Sequence, residues 1–234
     1  MQISAKDLGW LATNDFCPRC FWIKRHIKNL PYQMGFPGIF SSIDSYTKNI
    51  VESYFQKNKE LPKWLSEVGD VKKIISIKPS QFKFVKGNTV LSGIPDLFLQ
   101  RHDNSFCIVD YKTARYTGNQ DQLMPIYQVQ LNGYAYIAES LGDKPVNDLY
   151  LIYFEPPNKD VYEQIIARHT KYDGFEMPFK PRIHKIKKDL KEVERLLKSA
   201  EEIYSKEKAP KGINNCKDCE RLEVLIRTIE KESD

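Results

Sequence analysis

Apolar residues recur at helical spacing in several parts of the chain. The clearest example is the stretch from Ser42 to about Asn58, where one face collects Ile43, Thr47, Ile50, Val51, Tyr54 and Phe55. A spacing of three and four residues is typical of an amphipathic helix. The predicted helices, in chain order, are Ala5–Trp10, Phe21–Lys28, Ser42 to about Asn58, Met124–Ser140 and a long final segment from Ile186 to Tyr204.

Between the third and fourth of these helices, the apolar runs are short and are separated by turn residues, a pattern typical of strands. A later run, Leu149–Phe154, is apolar throughout and indicates a buried strand. The other predicted strands are Lys72–Ile77, Gln81–Val85, Thr89–Ile94 continuing through Leu97–Arg101, and Ser105–Lys112. This order predicts an α/β (α+β) fold with a central mixed sheet flanked by helices, in a single domain of residues 1–234.

Two acids and a lysine interrupt the neighbouring runs "GIPD" and "IVDYKTA". If Asp103–Asn104 is the turn of a hairpin, Asp96 falls within one residue of the position opposite Asp110, where Cβ atoms are about 5 Å apart. Strand alternation puts Lys112 on the same face as Asp110. Two such carboxylates can share one Mg²⁺ or Mn²⁺ ion, and together with the lysine they form a set suited to phosphodiester cleavage.

The alternative is an exposed ladder of charged residues on a solvated strand. It explains Asp110 and Lys112 one by one, but it does not explain why they lie between an apolar run and the small residues Thr113 and Ala114. Pro95 cannot donate to a ladder, so we expect a distorted strand where Asp96 turns inward. We therefore expect Asp96 and Asp110 to ligate a metal, and Lys112 to orient water or stabilise developing charge.

Cysteines form two C-x-x-C pairs near opposite ends of the chain, Cys17 with Cys20 and Cys216 with Cys219. Four thiolates with this spacing suit one tetrahedral metal ion or a cubane iron–sulfur cluster, and the spacing alone favours structural Zn²⁺. Either group would join the two chain ends. Cys107 stands alone in an apolar strand and is most simply a core residue.

The formal net charge of +5 is mildly basic, which is compatible with a polyanionic partner. No apolar run approaches the roughly 20 residues of a membrane helix, and the first ten residues do not resemble a secretory signal. Five cysteines without such a signal indicate reduced thiols, so we expect a soluble cytoplasmic protein without a membrane partner. Two basic runs of the chain are candidates for contact with DNA, and the alternative is that they are simply solvated faces. The predicted DNA contacts are Arg19, Lys24, Arg25, Lys185 and Lys187.

"GIPD", thirteen intervening residues and "DYK" together resemble the signature of the PD-(D/E)XK nuclease superfamily. "QLNGY" also matches the Q-x-x-x-Y helix motif of its RecB-like branch, with Gln130 and Tyr134 as the motif residues. The resemblance covers roughly Gly38 to Ser140. It implies a restriction-endonuclease-like core at about 38–160, with Gln130 and Tyr134 facing the metal site or the nucleic-acid backbone.

The sequence departs from that branch at the start of the first core helix, where members usually carry a metal-binding histidine. Here the chain reads "PGIFSSIDSY", and Asp44 is the best substitute because carboxylates are good ligands for Mg²⁺. The alternative is that Asp44 only supports the helix start, in a capping arrangement with Ser41. The backbone carbonyl of Tyr111 is a further candidate ligand.

"CPRCFW" resembles the first cysteine segment of the iron–sulfur members of this branch, including the fourth CRISPR-associated (Cas) family. Those members hold a [4Fe–4S] cluster between the chain ends, which favours a cluster here. They commonly use one upstream and three downstream cysteines, whereas this chain has two and two. Zn²⁺ therefore remains the alternative.

The resemblance implies a Mg²⁺- or Mn²⁺-dependent deoxyribonuclease that acts on single-stranded or end-containing DNA, in repair or in CRISPR spacer acquisition. DNA and other proteins of those processes are the implied partners. The alternative is a non-catalytic nucleic-acid-binding or assembly protein with a degenerate nuclease core. The missing histidine favours that alternative, and the intact set of Asp96, Asp110 and Lys112 argues against it.

Overall fold

The computed structural model of the protein describes residues 1–28, 37–118, 122–143, 145–158 and 161–231. Helices and strands alternate irregularly along the chain. The helices are α1 (Ala5–Gly9), α2 (Pro18–His26), α3 (Gly38–Asn58), α4 (Met124–Ser140), α5 (Tyr162–His169), α6 (Leu190–Tyr204) and α7 (Lys217–Lys231). The strands are β1 (Gln2–Ser4), β2 (Val71–Ile74), β3 (Lys83–Lys86), β4 (Thr89–Ser92), β5 (Leu97–Arg101), β6 (Phe106–Lys112), β7 (Val146–Glu155), β8 (Thr170–Lys171), β9 (Gly174–Phe175) and β10 (Lys180–Ile186).

A mixed sheet lies at the centre, as the sequence predicted. Within the described residues its strand order is β10-β7-β6-β5-β2, with β6 and β7 parallel and the other neighbours antiparallel. The parallel pair is joined by the crossover through α4. Such a pair needs cover on both faces, which is why β6 and β7 are apolar almost throughout.

The two faces of the sheet are covered by different helices. Along β6, Ile108 belongs to the cluster formed with α4 and α6, whereas Cys107, Val109 and Tyr111 belong to the cluster with α3. Successive side chains of a strand point to opposite faces, so Asp110 falls on the α4 side. The expectation that Cys107 is a core residue is confirmed, since it is fully buried.

The predicted continuous strand from Thr89 to Arg101 is wrong. The run breaks into β4, which pairs with β1 and β3 in a small separate sheet, and β5, which enters the central sheet. The break contains Pro95, which has no N–H for a ladder, so the expected distortion is present. The interruption lies at 93–96, directly before β5.

Other elements differ from the sequence prediction as well. Helix α3 begins at Gly38, so Asp44 lies in its second turn and the proposed capping arrangement with Ser41 is absent; the N-cap is Pro37, without a side-chain hydrogen bond. The basic run Lys180–Ile186 is a strand that pairs with β7. Helix α7 was not predicted. No helix in the described parts of the chain is long and apolar enough to cross a membrane.

Candidate active site and cysteine centre

The β5–β6 hairpin brings the two predicted acids together. Leu97 pairs with Val109 in the antiparallel ladder. Asp96, one residue before Leu97, therefore stands opposite Asp110, and its Oδ2 accepts the backbone N–H of Tyr111. The predicted register is confirmed. This hydrogen bond fixes Asp96 to the backbone of β6 through Oδ2, so that Oδ1 can contact other groups.

Asp110 is buried in the site, with 3% of its surface exposed. Its Oδ2 accepts a hydrogen bond from Lys112 Nζ, and its Oδ1 lies 3.5 Å from Gln130 Nε2. Burial raises the pKa of Asp110 to about 6, against the lowering effect of the Lys112 ammonium and together with the repulsion of Asp96. A buried carboxylate of this kind gains from a further cation at its side.

Helix α4 supplies the polar groups that face these acids. Gln130 Nε2 donates to Tyr134 Oη at 2.6 Å, and Gln130 Oε1 accepts from Lys112 Nζ at 3.4 Å. Lys112 also lies over the ring of Tyr127, 4.6 Å from its centroid. The motif residues of α4 therefore join the Asp110–Lys112 pair in one hydrogen-bonded network.

The packing around Gly93 explains why the first position of "GIPD" is a glycine. A Cβ atom at this position would lie 2.5 Å from Tyr134 Cε1, closer than any real contact. The break before β5 therefore packs directly against the tyrosine ring of α4. This contact ties the segment that carries Asp96 to the helix that carries Gln130.

Lys48 of α3 was missed by the sequence analysis and belongs to the site. Its Nζ lies 2.7 Å from Asp96 Oδ1 and 2.8 Å from Asp44 Oδ2. Burial lowers the pKa of Lys48, but its hydrogen bonds to Asp44 and Asp96 outweigh this effect and raise the pKa above the ordinary value. The i, i+4 spacing of Asp44 and Lys48 was visible in the sequence, whereas the approach to Asp96 depends on the fold.

The donor set fits a hard divalent cation. Asp96 and Asp110 offer carboxylate oxygens from facing strands, and Asp44 stands beside Asp96 through their shared Lys48 contact. Oxygen ligands of this type suit Mg²⁺ and Mn²⁺. Tyr111 has its ring buried against Phe154, on the opposite side of the strand from Asp110.

The four predicted cysteines meet, joining α2 to the segment that begins α7. Their sulfur atoms all lie within 4.8 Å of one another, and three of the pairs are 3.6 Å apart. Four sulfurs about 2.3 Å from one tetrahedral zinc ion would be about 3.8 Å apart, whereas thiolates on the four irons of a cubane lie roughly 6 Å apart. Both groups use four thiolates, so a site of four cysteines could bind either. The four cysteines are Cys17, Cys20, Cys216 and Cys219.

Three of the four cysteines have shifted pKa values, and the shifts differ in direction. Burial raises the pKa of Cys17, but hydrogen bonds from the backbone of Cys20 and Ile213 and from neighbouring thiols lower it to about 7 overall. Burial, together with neighbouring thiols, raises the pKa of Cys20 and raises that of Cys219 to about 11, so of these three only Cys17 is shifted toward the thiolate that binds metal. A Cβ on Gly212 would lie 2.8 Å from Cys219 Sγ, so the loop before α7 is packed directly against the sulfurs.

The predicted DNA contacts have mixed surroundings. Arg19 pairs with Glu223 at 2.9 Å, Arg25 with Asp7 at 3.1 Å and Lys185 with Asp148 at 2.5 Å. The other two, Lys24 and Lys187, are exposed. Three of the five charges are thus balanced within the protein, and DNA contact by this set stays a prediction.

Comparison with known proteins gives the chain its family. A solved structure described as "Crystal structure of SSO0001" aligns with a TM-score of 0.41 and 14% identity, over 85% of this chain and 74% of that chain. No curated protein matches the sequence. The model of the PD-(D/E)XK nuclease superfamily matches residues 22–224, which include the β5–β6 hairpin and most of the helices that cover the sheet. The mixed sheet flanked by helices fits the restriction-endonuclease-like fold, and the chain belongs to the PD-(D/E)XK nuclease superfamily.

Proposed function

We propose that the protein is a Mg²⁺- or Mn²⁺-dependent nuclease that hydrolyses phosphodiester bonds of DNA. The observation that carries this proposal is the pairing of Asp96 with Asp110 across the hairpin, with Lys112 bound to Asp110. This arrangement places two hard ligands and one ammonium in a common site. The family makes a nuclease the natural chemistry of such a set.

Each residue has a separate task. A divalent ion held by Asp96 and Asp110 would polarise the phosphodiester and acidify a water molecule. Lys112, fixed between Asp110 and Gln130, is placed to orient the attacking water and to stabilise the negative charge that develops on the phosphate. Gln130 and Tyr134 hold that lysine and Asp110 in position from α4.

Asp44 and the Tyr111 backbone carbonyl are proposed as additional ligands. Asp44 is 44% exposed and accepts from Lys48, so its carboxylate can move toward an ion bound at Asp96. It would thereby replace the histidine expected from the resemblance to the RecB-like branch. Asp44→Asn should then weaken divalent-metal binding and cleavage together.

For the cysteine centre we propose Zn²⁺, because the sulfur separations and the two-and-two spacing both favour one tetrahedral ion. The [4Fe–4S] cluster implied by the resemblance to iron–sulfur Cas nucleases is the alternative. Protein purified without oxygen should be colourless with one zinc per chain. A brown preparation that contains four irons per chain would establish the cluster instead.

The biological setting follows only from the resemblance. On that basis we propose a cytoplasmic role in DNA repair or CRISPR spacer acquisition. The single domain would work there with other proteins of those processes.

The experiment combines metal binding with cleavage. Asp96→Ala and Asp110→Ala should lose calorimetric Mn²⁺ binding and cleavage of a labelled oligonucleotide, whereas Lys112→Met should keep most of the binding and lose cleavage. Asp173→Ala, which removes an exposed acid between β8 and β9, away from the hairpin, serves as the control. If folded wild-type protein binds the oligonucleotide but never cleaves it with either ion, the non-catalytic alternative is correct.

A further inference from the structure

A cleft adjoins the site at Asp96. It has a volume of about 580 Å³ and lies between α3 and the edge formed by β2 and the segment before β5. Asp96 and Lys48 line it together with Lys59 and Lys73. The cleft therefore leads directly to the carboxylate of Asp96, one of the two proposed metal ligands.

The charged lining of the cleft is weakly positive, and a bound cation would make it more so. Three lysines, at 48, 59 and 73, face two acids, Glu52 and Asp96. Their sum is weakly positive, and a divalent ion at Asp96 would add two further positive charges. A polyanion should therefore bind this cleft more strongly when the metal is present.

The remaining lining suits sugars and bases. Ile74 and Ile94 border the cleft, and 45% of Ile94 is exposed. Proteins that bind single strands without reading their sequence follow the backbone with a positively charged groove and stack the bases on aromatic side chains. In this cleft, aliphatic side chains offer the apolar contact instead.

We propose that this cleft binds one strand of nucleic acid on its way to the site, with Lys59 and Lys73 holding outer phosphates and Lys48 holding the phosphate next to the metal. The proposal rests on the proposed nuclease function and names its substrate form. Lys48 Nζ is already 2.7 Å from Asp96 Oδ1, so the phosphate it would hold stands beside the ligands of the ion. The surface lies on α3 and β2, not on the basic runs that the sequence suggested.

The test uses full-length protein and a fluorescent single-stranded oligonucleotide of mixed sequence, with Ca²⁺ in place of Mg²⁺ to limit cleavage. Lys59→Met and Lys73→Met should each weaken binding by about fivefold and lower the salt dependence by about 0.7 per lysine. Lys57→Met is the matched control, because it removes the same charge from an exposed position of α3 that does not line the cleft. In Mn²⁺, the two cleft variants should raise KM with little change in kcat.

The outcomes separate the cleft from the nuclease itself. Wild-type cleavage of the oligonucleotide in Mn²⁺ with unchanged KM in Lys59→Met and Lys73→Met would overturn the cleft proposal and leave the proposed function intact. A hairpin duplex bound as tightly as the single strand would also overturn it. Wild-type protein that neither binds nor cleaves the oligonucleotide would instead overturn the proposed function.

Discussion

Asp110→Asn should abolish cleavage and, in the same molecule, stabilise the fold. Burial raises the pKa of this carboxyl from an ordinary 3.8 to about 6, so the folded protein holds the charged form at a cost. A rise of about two units corresponds to about 3 kcal/mol of unfolding free energy. Because that pKa already includes the attraction of the Lys112 ammonium, and Asn resembles the neutral carboxyl, we expect Asp110→Asn to be more stable than wild type by up to about 3 kcal/mol at pH 8.

The sign and pH range of this effect follow from proton binding. Between about pH 4 and pH 6 the folded state binds more protons at Asp110 than the unfolded state does, so this group lowers stability as the pH rises through that window. The cost is present in full above pH 6 and vanishes below the unfolded value. The advantage of Asp110→Asn should therefore fall to about half at pH 5.

Asp148 provides the matched control on the neighbouring strand. Burial raises the pKa of Asp148, but hydrogen bonds from Lys185 and Arg101 outweigh this and lower it. Asp148→Asn should therefore destabilise the protein at pH 8, opposite in sign to Asp110→Asn. Urea unfolding at pH 8 and pH 5, without divalent cations or chelator, measures both variants. An Asp110→Asn protein less stable than wild type at pH 8, or a gain that grows toward pH 5, would refute this reasoning.

Three further outcomes are expected from single substitutions. Cys219→Ser opens a metal-closed loop between positions 199 apart, so it should release the metal and lower the unfolding free energy by up to about 5 kcal/mol. Cys107→Ala should keep the metal, and equal metal content in both variants would contradict a metal site that joins the two chain ends. Gly93→Ala should drive a Cβ into the Tyr134 ring, costing about 1–3 kcal/mol and most of the cleavage rate, and wild-type rates in that variant would show that this contact does not matter. Lys48→Met removes an ammonium from Asp96, so calorimetry should show Mn²⁺ binding at least about fivefold tighter. Oligonucleotide binding should weaken in the same variant. Weaker Mn²⁺ binding would show that Lys48 supports the ion rather than competing with it.

The hairpin could be predicted because its determinants are local. A turn at Asp103–Asn104 sets the register, and a period of two puts Asp110 and Lys112 on one face. Helix α4 has the predicted bounds, Met124–Ser140, because its apolar face is continuous from end to end. These features need only the sequence between about 90 and 140.

The features that were missed depend on distant parts of the chain. β4 leaves the central sheet because it pairs with β1, formed by the first residues, and no local pattern encodes that partner. β10 is rich in lysine and arginine because it is an edge strand with much of its surface in solvent, so its composition resembles a charged loop. Lys48 joins the site only because α3 packs beside the β5–β6 hairpin.

Cleavage of an end-labelled single-stranded oligonucleotide during a Mn²⁺ titration tests the central claim most directly. Wild-type protein should be inactive in a brief assay to which EDTA is added only for the measurement. In the titration without EDTA, it should gain activity that saturates with added Mn²⁺. Asp110→Asn, folded and at least as stable as wild type at pH 8, should remain inactive at every Mn²⁺ concentration. Full cleavage by Asp110→Asn, or cleavage by wild type that does not depend on a divalent ion, would contradict a metal site built on Asp96 and Asp110.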